Sequence, residues 1–287
     1  MRSKDLKLSW FRRIANWMFV GLSATAAIAV LAPLLAIFGY LVYKGVGSIN
    51  MNFLTHVPAP VGEPGGGMAN AIVGSGMMLL LASAIGVPLG IGAGIYVSEY
   101  RRSRFAHLVR FIADVLNGVP SIVVGIAVYA LIVLRQGHFS GFAGGMALGI
   151  MMIPTIARTT EEMLLMVPHS IREAALGLGI PQWRSTLAIT LRTALPGVIT
   201  GVMLAFARVA GETAPLLFTA LGNQFWSRDL NQPMAALPLQ IYTYAISPYD
   251  EWHRQAWAGA LVLIVLIVIA VAVMRYVTSR GRMAGAH

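Results

Sequence analysis

The 287-residue sequence contains no cysteine, which excludes disulfides, thiolate metal sites and cysteine nucleophiles. It is also poor in charge, because only 11% of its residues are charged whereas 57% are hydrophobic. A water-soluble domain of this length needs far more polar surface. The composition therefore indicates an integral membrane protein, with apolar runs long enough for membrane-spanning helices.

Three kinds of functional site are missing as well. Gly90, Gly92 and Gly94 resemble a glycine-rich phosphate loop, but no Gly-Lys-Ser/Thr ending follows and no strand precedes them. The six histidines fall in loops or at helix ends, which argues against a metal centre and an intramembrane enzyme. The net charge of +10 could suggest nucleic-acid binding. However, the basic residues form short clusters between apolar runs, as membrane topology requires. We expect no catalytic residue, metal or cofactor.

The apolar runs predict an all-α protein with six transmembrane helices. Gly86, Gly90 and Gly94 recur on one face of the second span, where a neighbouring helix can pack closely. Arg110 and Asp114, four residues apart near the start of the third span, can pair on one helix face. The predicted spans are 17–43, 69–97, 108–134 (interrupted at 117–121), 141–160, 195–221 and 256–277. The remaining parts are a basic lead-in at 1–16, a polar loop at 161–192 and a basic tail at 278–287.

The distribution of basic residues predicts the orientation in the membrane. Six spans place both termini on one side, together with sixteen of the 21 lysines and arginines. The loops of the other side hold only four, namely Lys44, Arg135, Arg228 and Arg254. Short loops rich in lysine and arginine stay in the cytoplasm. We therefore expect cytoplasmic termini and a cytoplasmic 161–192 loop.

The polar loop contains a predicted short helix. Ser170 and Glu173 have the spacing of a capping box, Gly177 or Gly179 can take the left-handed end, and a proline follows. Ala174 and Ala175 would leave an almost bare surface that another protein could approach closely. The alternative is an ordinary surface turn between two membrane helices.

Glu173-Ala174-Ala175 followed by Gly179 resembles the EAA-x3-G loop of ABC importer permeases. In that family a short cytoplasmic coupling helix docks on an ATPase subunit. The resemblance implies a type I ABC importer permease architecture. It also implies a coupling segment made of Ser170, Arg172, Glu173, Ala174, Ala175 and Gly179.

An arginine lies inside the predicted fifth span. Arg208 is about thirteen residues from its start, hence about 20 Å into a core about 30 Å thick. A charge at that depth costs at least about 2.5–3.5 kcal/mol, so it should face protein or a wet pathway. Glu212, one turn further on, can partner it in a closed ion pair that fixes helix packing. Alternatively, Arg208 binds a crossing anion, since its planar fork matches phosphate or carboxylate oxygens. In that case the negative charge of Glu212 would keep Arg208 from binding the anion too tightly.

Further stretches are similar to the phosphate-specific branch of these permeases. They include residues 207–221, residues 223–226, Pro120-Ser121-Ile122-Val123-Val124-Gly125 and Arg158-Thr159-Thr160-Glu161. The resemblance implies a non-enzymatic subunit of the inner membrane that takes up inorganic phosphate. It would work with a second permease subunit, two cytoplasmic ATPase subunits and an extracytoplasmic phosphate-binding protein. The pathway residues would be Arg208, Glu212, Thr213 and Ser121.

Two alternatives for the function stay open at this point. A permease for another oxyanion, such as sulfate or molybdate, would satisfy the same chemistry. A self-contained secondary transporter could relay protons through Glu212 or Asp114. Inverted repeats would favour the secondary transporter, and no clear repeat relates the two halves of the sequence.

Overall fold

The computed structural model describes residues 10–60, 63 and 65–283; the first nine residues of the lead-in and the last four of the tail lie outside the described residues. The helices are α1 Trp10–Gly45, α2 Met51–Thr55, α3 Ala69–Glu99, α4 Arg104–Gly118, α5 Ser121–Val128, α6 Leu134–Gln136, α7 Gly141–Leu165, α8 His169–Gly177, α9 Gln182–Arg184, α10 Leu191–Ala210, α11 Ala214–Leu217, α12 Leu237–Ala245 and α13 Asp250–Met283. Two π-helical stretches, Tyr129–Val133 and Ser185–Thr190, join α5 to α6 and α9 to α10. The rest of the lead-in and the start of the tail are helical extensions of α1 and α13.

The centre of the bundle is a parallel pair of helices, α3 and α7. Gly86, Gly90 and Gly94 of α3 lie against successively later parts of α7, beginning at Gly149. A Cβ atom on Gly90 would lie 2.7 Å from the Cβ of Ile156. Only glycine permits this approach, and small residues spaced four apart are how membrane helices pack closely. The predicted packing role of the three glycines is confirmed.

Because α3 and α7 are parallel, the chain between them has to return across the bundle. Both helices start at the same end: the Asn70 amide donates to the Asn223 carbonyl (2.7 Å), and the Ser140 amide donates to the Thr219 carbonyl (3.0 Å). The return consists of α4 and the continuous α5–α6 helix, which are bent by 108° relative to each other. The bent pair thus makes one crossing, and with α1, α3, α7, α10 and α13 it gives the six predicted crossings.

Pro120 explains the bend. Proline lacks a donor N–H and pushes the residue before it out of the helical region. Val119 (φ −71°, ψ 131°) and Pro120 (φ −57°, ψ 137°) are both extended, and α5 starts at the next residue. The interruption expected at 117–121 is therefore a full break between two helices.

The fifth span differs most from its predicted bounds. Instead of 195–221, the continuous helix covers Gln182–Ala210. Gly211 ends it, and Pro215 lies in the first turn of the short helix α11. The apolar residues after Gly211 suggested a continuing helix, but after this break they form only the short helix α11 and then reach the start of α7, where the Thr219 carbonyl accepts from the Ser140 amide. The fourth span also runs on to Leu165, so the polar loop is shorter than predicted.

The crossings define two ends of the bundle. The α8 end carries α8 itself and the end of α3, where Glu99 lies. The opposite end carries the segment between α1 and α3 and residues 211–249. There α1 meets the start of α13, with the Tyr40 and Trp257 rings 5.2 Å apart, edge to face.

Candidate functional site: a docking helix and an intramembrane arginine

Helix α8 begins earlier than the capping box requires. Its N-cap is Pro168 (φ −55°), and no side chain caps the first turn. Proline fixes a φ suited to a helix start, so the helix begins at His169 and includes Ser170 and Glu173. The predicted capping box is therefore wrong. Both side chains instead lie exposed on the surface of α8.

The end of α8 agrees with the sequence. Gly179 has φ +77°, the left-handed conformation that glycine adopts without a steric penalty. Its amide donates to the Leu176 carbonyl (2.9 Å), and the Ile180 amide donates to the Ala175 carbonyl (3.2 Å). These two bonds form a Schellman motif. The predicted stop at Gly179 is confirmed.

The two alanines of α8 lie on different faces. Ala174 is exposed, whereas Ala175 is 3% exposed. Ala175 shares the inner face with Ile171, which packs on a buried cluster containing Leu164 and Val198. The prediction of a bare outer surface thus holds for Ala174 and is wrong for Ala175. Large apolar side chains are exposed around the outer face: Met166, Leu176, Leu178 and Trp183.

Arg172, also predicted for the coupling surface, contacts its own bundle. Its guanidinium donates to Glu99 Oε1 (2.6 Å) and to the Leu164 carbonyl (2.9 Å). Glu99 is the last residue of α3, and Leu164 lies in the last turn of α7. Arg172 therefore holds α8 against the ends of both central helices.

Arg208 lies in the last turn of α10, at a level between the two ends of the bundle. A small crevice beside it is lined by Leu116, Asn117, Val119, Val124, Ile150 and Met151. Ile150 is nine residues into the 25-residue α7, hence about 13 Å along a helix of about 37 Å. Arg208 thus lies about a third of the way along α7 from the opposite end of the bundle, although the predicted bounds of its own helix are wrong.

Glu212 does not extend the helix that carries Arg208. The Gly211 amide bonds to the Arg208 carbonyl (3.3 Å), the Glu212 amide bonds to the Val209 carbonyl (3.1 Å), and the chain then turns away. Within residues 10–60, 63 and 65–283, no ion pair joins Arg208 to Glu212 or to another carboxylate. The closed ion pair is absent from this structure.

The other two predicted pathway residues lie on helices that touch. Ser121 is the first residue of α5 and Thr213 is the N-cap of α11. These helices meet where Gly125 lies against Pro215, leaving no room for a Cβ atom. Neither side chain lines the crevice at Arg208. Asn117, which sequence reasoning did not select, does line it and accepts a hydrogen bond from Thr155 (3.2 Å).

Arg110 pairs with a different carboxylate from the one expected. It donates to Glu161 Oε1 through two nitrogens (3.0 and 2.6 Å), and Arg158 donates to the other oxygen of Glu161 (3.4 Å). Glu161 is 5% exposed. The Arg110–Asp114 pair is therefore not formed. Helix α7 supplies Glu161, which is a more buried partner than Asp114. The bond ties α4 to α7.

The opposite end contains a cavity of about 220 Å³. Its polar lining includes Asn223, Gln224, Gln240 and Tyr244. Burial raises the pKa of the Tyr244 phenol, while a hydrogen bond from Gln240 acts in the other direction. Tyr244 therefore stays neutral at physiological pH.

Comparison with known proteins identifies the family. The profile of the binding-protein-dependent transport system inner membrane component matches residues 86–283. A phosphate transport system permease protein PstA of Yersinia pestis is 48% identical, over 94% of this chain and 91% of its own length. The Haemophilus influenzae PstA is 46% identical, with 93% of this chain and 94% of its own length covered. PstA 1 of Mycobacterium tuberculosis is 34% identical, with 94% and 91% covered.

Among solved structures, an inward-facing MetNI methionine ABC transporter superposes with a TM-score of 0.55 at 18% identity. It covers 76% of this chain and 94% of the matched chain, so the fold is that of an ABC importer permease. With its six crossings the chain is a multi-pass inner membrane protein. The chain belongs to the binding-protein-dependent transport system inner membrane components, and within them to the PstA family of phosphate transport permeases.

Proposed function

We propose that this chain moves inorganic phosphate across the inner membrane as one of two permease subunits in an ATP-driven importer. The observation that carries the proposal is Arg208, a guanidinium near mid-bundle with no carboxylate partner among the described residues. An unpaired, forked cation is suited to bind a tetrahedral oxyanion. The relatives named for phosphate transport favour phosphate over sulfate or molybdate.

Arg208 also argues for the second permease subunit. Its side chain is exposed on the surface of the single chain. Exposure of an arginine to lipid near mid-membrane would be costly, so the side chain must face protein or a wet pathway. A second subunit placed against this surface would enclose the pathway between the two chains.

We propose that the α8 end docks an ATPase subunit. The complete complex would contain two ATPase subunits for the two permease subunits. Ser170, Glu173 and Ala174 form the outer face of α8, and Gly179 fixes where that face ends. The exposed apolar side chains around it are typical of a surface that another protein covers. ATP hydrolysis belongs to those separate subunits, so this chain is not itself an enzyme.

We propose that the α8 end and both termini are cytoplasmic, as the distribution of basic residues indicates. An extracytoplasmic phosphate-binding protein would then deliver its ligand to the opposite end, where residues 211–249 and the 220 Å³ cavity lie.

Cysteine labelling tests this orientation without background, since the chain has no native cysteine. We expect an impermeant maleimide to label Ser227→Cys and Asp250→Cys in intact cells. Arg102→Cys should react only after permeabilisation. The three positions lie on exposed or half-exposed loops and helix ends. The cysteine-free parent is the control, and reversed labelling would refute the orientation and the ATPase-docking role together.

Transport in proteoliposomes tests the substrate and the energy source. We expect vesicles containing the whole complex, the binding protein outside and ATP inside to accumulate phosphate. Sulfate and molybdate should be taken up at least about tenfold more slowly, and omission of ATP should abolish uptake. Uptake driven by a proton gradient without ATP would instead support a secondary transporter.

A further inference from the structure

We propose that Arg172 and Glu99 form a joint that transmits displacement of α8 to the α3–α7 pair. This inference rests on the proposed docking of an ATPase on α8. It assigns Arg172 an inward-facing positioning role and adds Glu99, which no sequence motif indicated. The joint is defined as the Arg172 side chain with its two acceptors, Glu99 and the Leu164 carbonyl.

The joint is largely shielded from water. The Arg172 side chain is 19% exposed and that of Glu99 is 11% exposed. Two nitrogens of one guanidinium bond to two helices at 2.6 and 2.9 Å. Charge-assisted hydrogen bonds are directional and stronger than neutral ones, and partly buried pairs are screened little by salt. The joint therefore fixes both the position and the orientation of α8.

The other contacts of α8 differ in kind from the joint, and they include packing against the π-helical stretch Ser185–Thr190. Ile171 packs among apolar side chains, and Ala175 is a small buried residue beside it. Apolar burial is non-directional, so these contacts hold α8 on the bundle without specifying one register along it. Arg172 adds a directional, charged contact, and it reaches α3 as well as α7.

The two helices held by the joint are suited to move together. The close approach at Gly86, Gly90 and Gly94 leaves no free space between them, and close-packed interiors transmit displacement. Met151 of α7 lines the crevice at Arg208. Displacement of α8 would thus shift one wall of that crevice. Through Arg110 and Glu161, α4 on the other side of the crevice is tied to the same helix.

The test measures the number of phosphate ions moved per ATP hydrolysed by the whole reconstituted complex. For Arg172→Gln we expect the ATPase subunits to co-purify at the parent level, because Arg172 faces inward. ATP hydrolysis should stay within about twofold of the parent, while the transport ratio falls at least about tenfold. The matched control is Arg254→Gln, which removes an arginine from an exposed pair with Glu251 at the opposite end. Its ratio should not change.

A double variant separates transmission from simple charge burial. Arg172→Gln with Glu99→Gln leaves no unpaired charge, so it should restore the ratio if the pair only serves stability. We expect the ratio to stay low, and restoration would overturn the joint. If Arg172→Gln fails to insert, Arg172→Lys decides: we expect a lowered ratio because the ammonium loses the fork, and the parent ratio would overturn the proposal.

The joint and the docking function fail in different ways. If the parent chain retains no ATPase subunit, the docking function is wrong. If the parent binds the ATPase and the Arg172 variants transport at the parent ratio, docking stands and the joint is refuted.

Discussion

Replacement of Arg208 by glutamine is expected to reduce phosphate uptake about ten- to a hundredfold while the complex still assembles. The reason is the loss of charged hydrogen bonds to the anion, each worth about 1.5–3 kcal/mol. A factor of ten corresponds to about 1.4 kcal/mol. Arg208→Lys should recover little, because an ammonium keeps the charge and loses the planar fork. Initial rates of phosphate uptake in proteoliposomes, normalised to the amount of assembled complex, measure the effect.

Replacing Glu212 together with Arg208 decides whether Arg208 binds the anion or only neutralises the charge of Glu212. If it were a structural ion, Arg208→Gln combined with Glu212→Gln would restore uptake, because no unpaired buried charge would remain. The two side chains form no ion pair among the described residues, so we expect no rescue. Arg13→Gln, at an exposed arginine near the start of α1, is the matched control. Full uptake by the double variant would remove the pathway role.

Ala174→Trp is expected to abolish uptake and the co-purification of the ATPase subunits. Ala174 is exposed on the outer face of α8, so the indole would occupy the space of the docked partner without entering the bundle. Membrane insertion and thermal stability should stay at the parent level, since surface substitutions usually change the free energy of unfolding by less than about 0.5 kcal/mol. Detergent co-purification and a thermal melt measure both quantities.

The matched control for this variant is Ala24→Trp, which adds the same side chain to an exposed alanine of α1, away from α8. Glu173→Lys should act like Ala174→Trp through reversed charge. Glu173→Lys should lower the free energy of unfolding by less than the loss of a capping box would, because no side chain caps the start of α8. Parent-level uptake and ATPase binding by both α8 variants would show that α8 is only a turn between membrane helices.

Local features of the chain could be predicted from sequence, whereas features set by neighbours could not. Gly86, Gly90 and Gly94 and the stop at Gly179 depend on intrinsic properties of glycine, so their spacing was sufficient. The face of α8 that Ala175 occupies depends on how the helix is rotated against the bundle. The spacing of Ile171 and Ala175 is typical of one buried face, but Leu176 and Leu178 are apolar and exposed, so the pattern alone does not decide the rotation.

The same distinction applies to the charged residues. The position of Arg208 between the two ends of the bundle could be predicted, because hydropathy locates the long apolar run that contains it. The end of its helix could not, since the residues after Gly211 are as apolar as a continuing span. The partner of Arg110 was also missed, because Glu161 is 51 residues away in sequence and reaches it only in the folded bundle.

The broken third crossing has a consequence for biogenesis. An independently inserting helix needs about 20 apolar residues, but α4 has 15, including two arginines and an aspartate, and α5 with its continuation has 16. Neither half is therefore a good substrate for insertion into lipid alone. The glycine-lined contact between α3 and α7 forms only after this weak segment has crossed. Completion of the bundle during synthesis thus depends on a segment that needs its neighbours in order to enter the membrane.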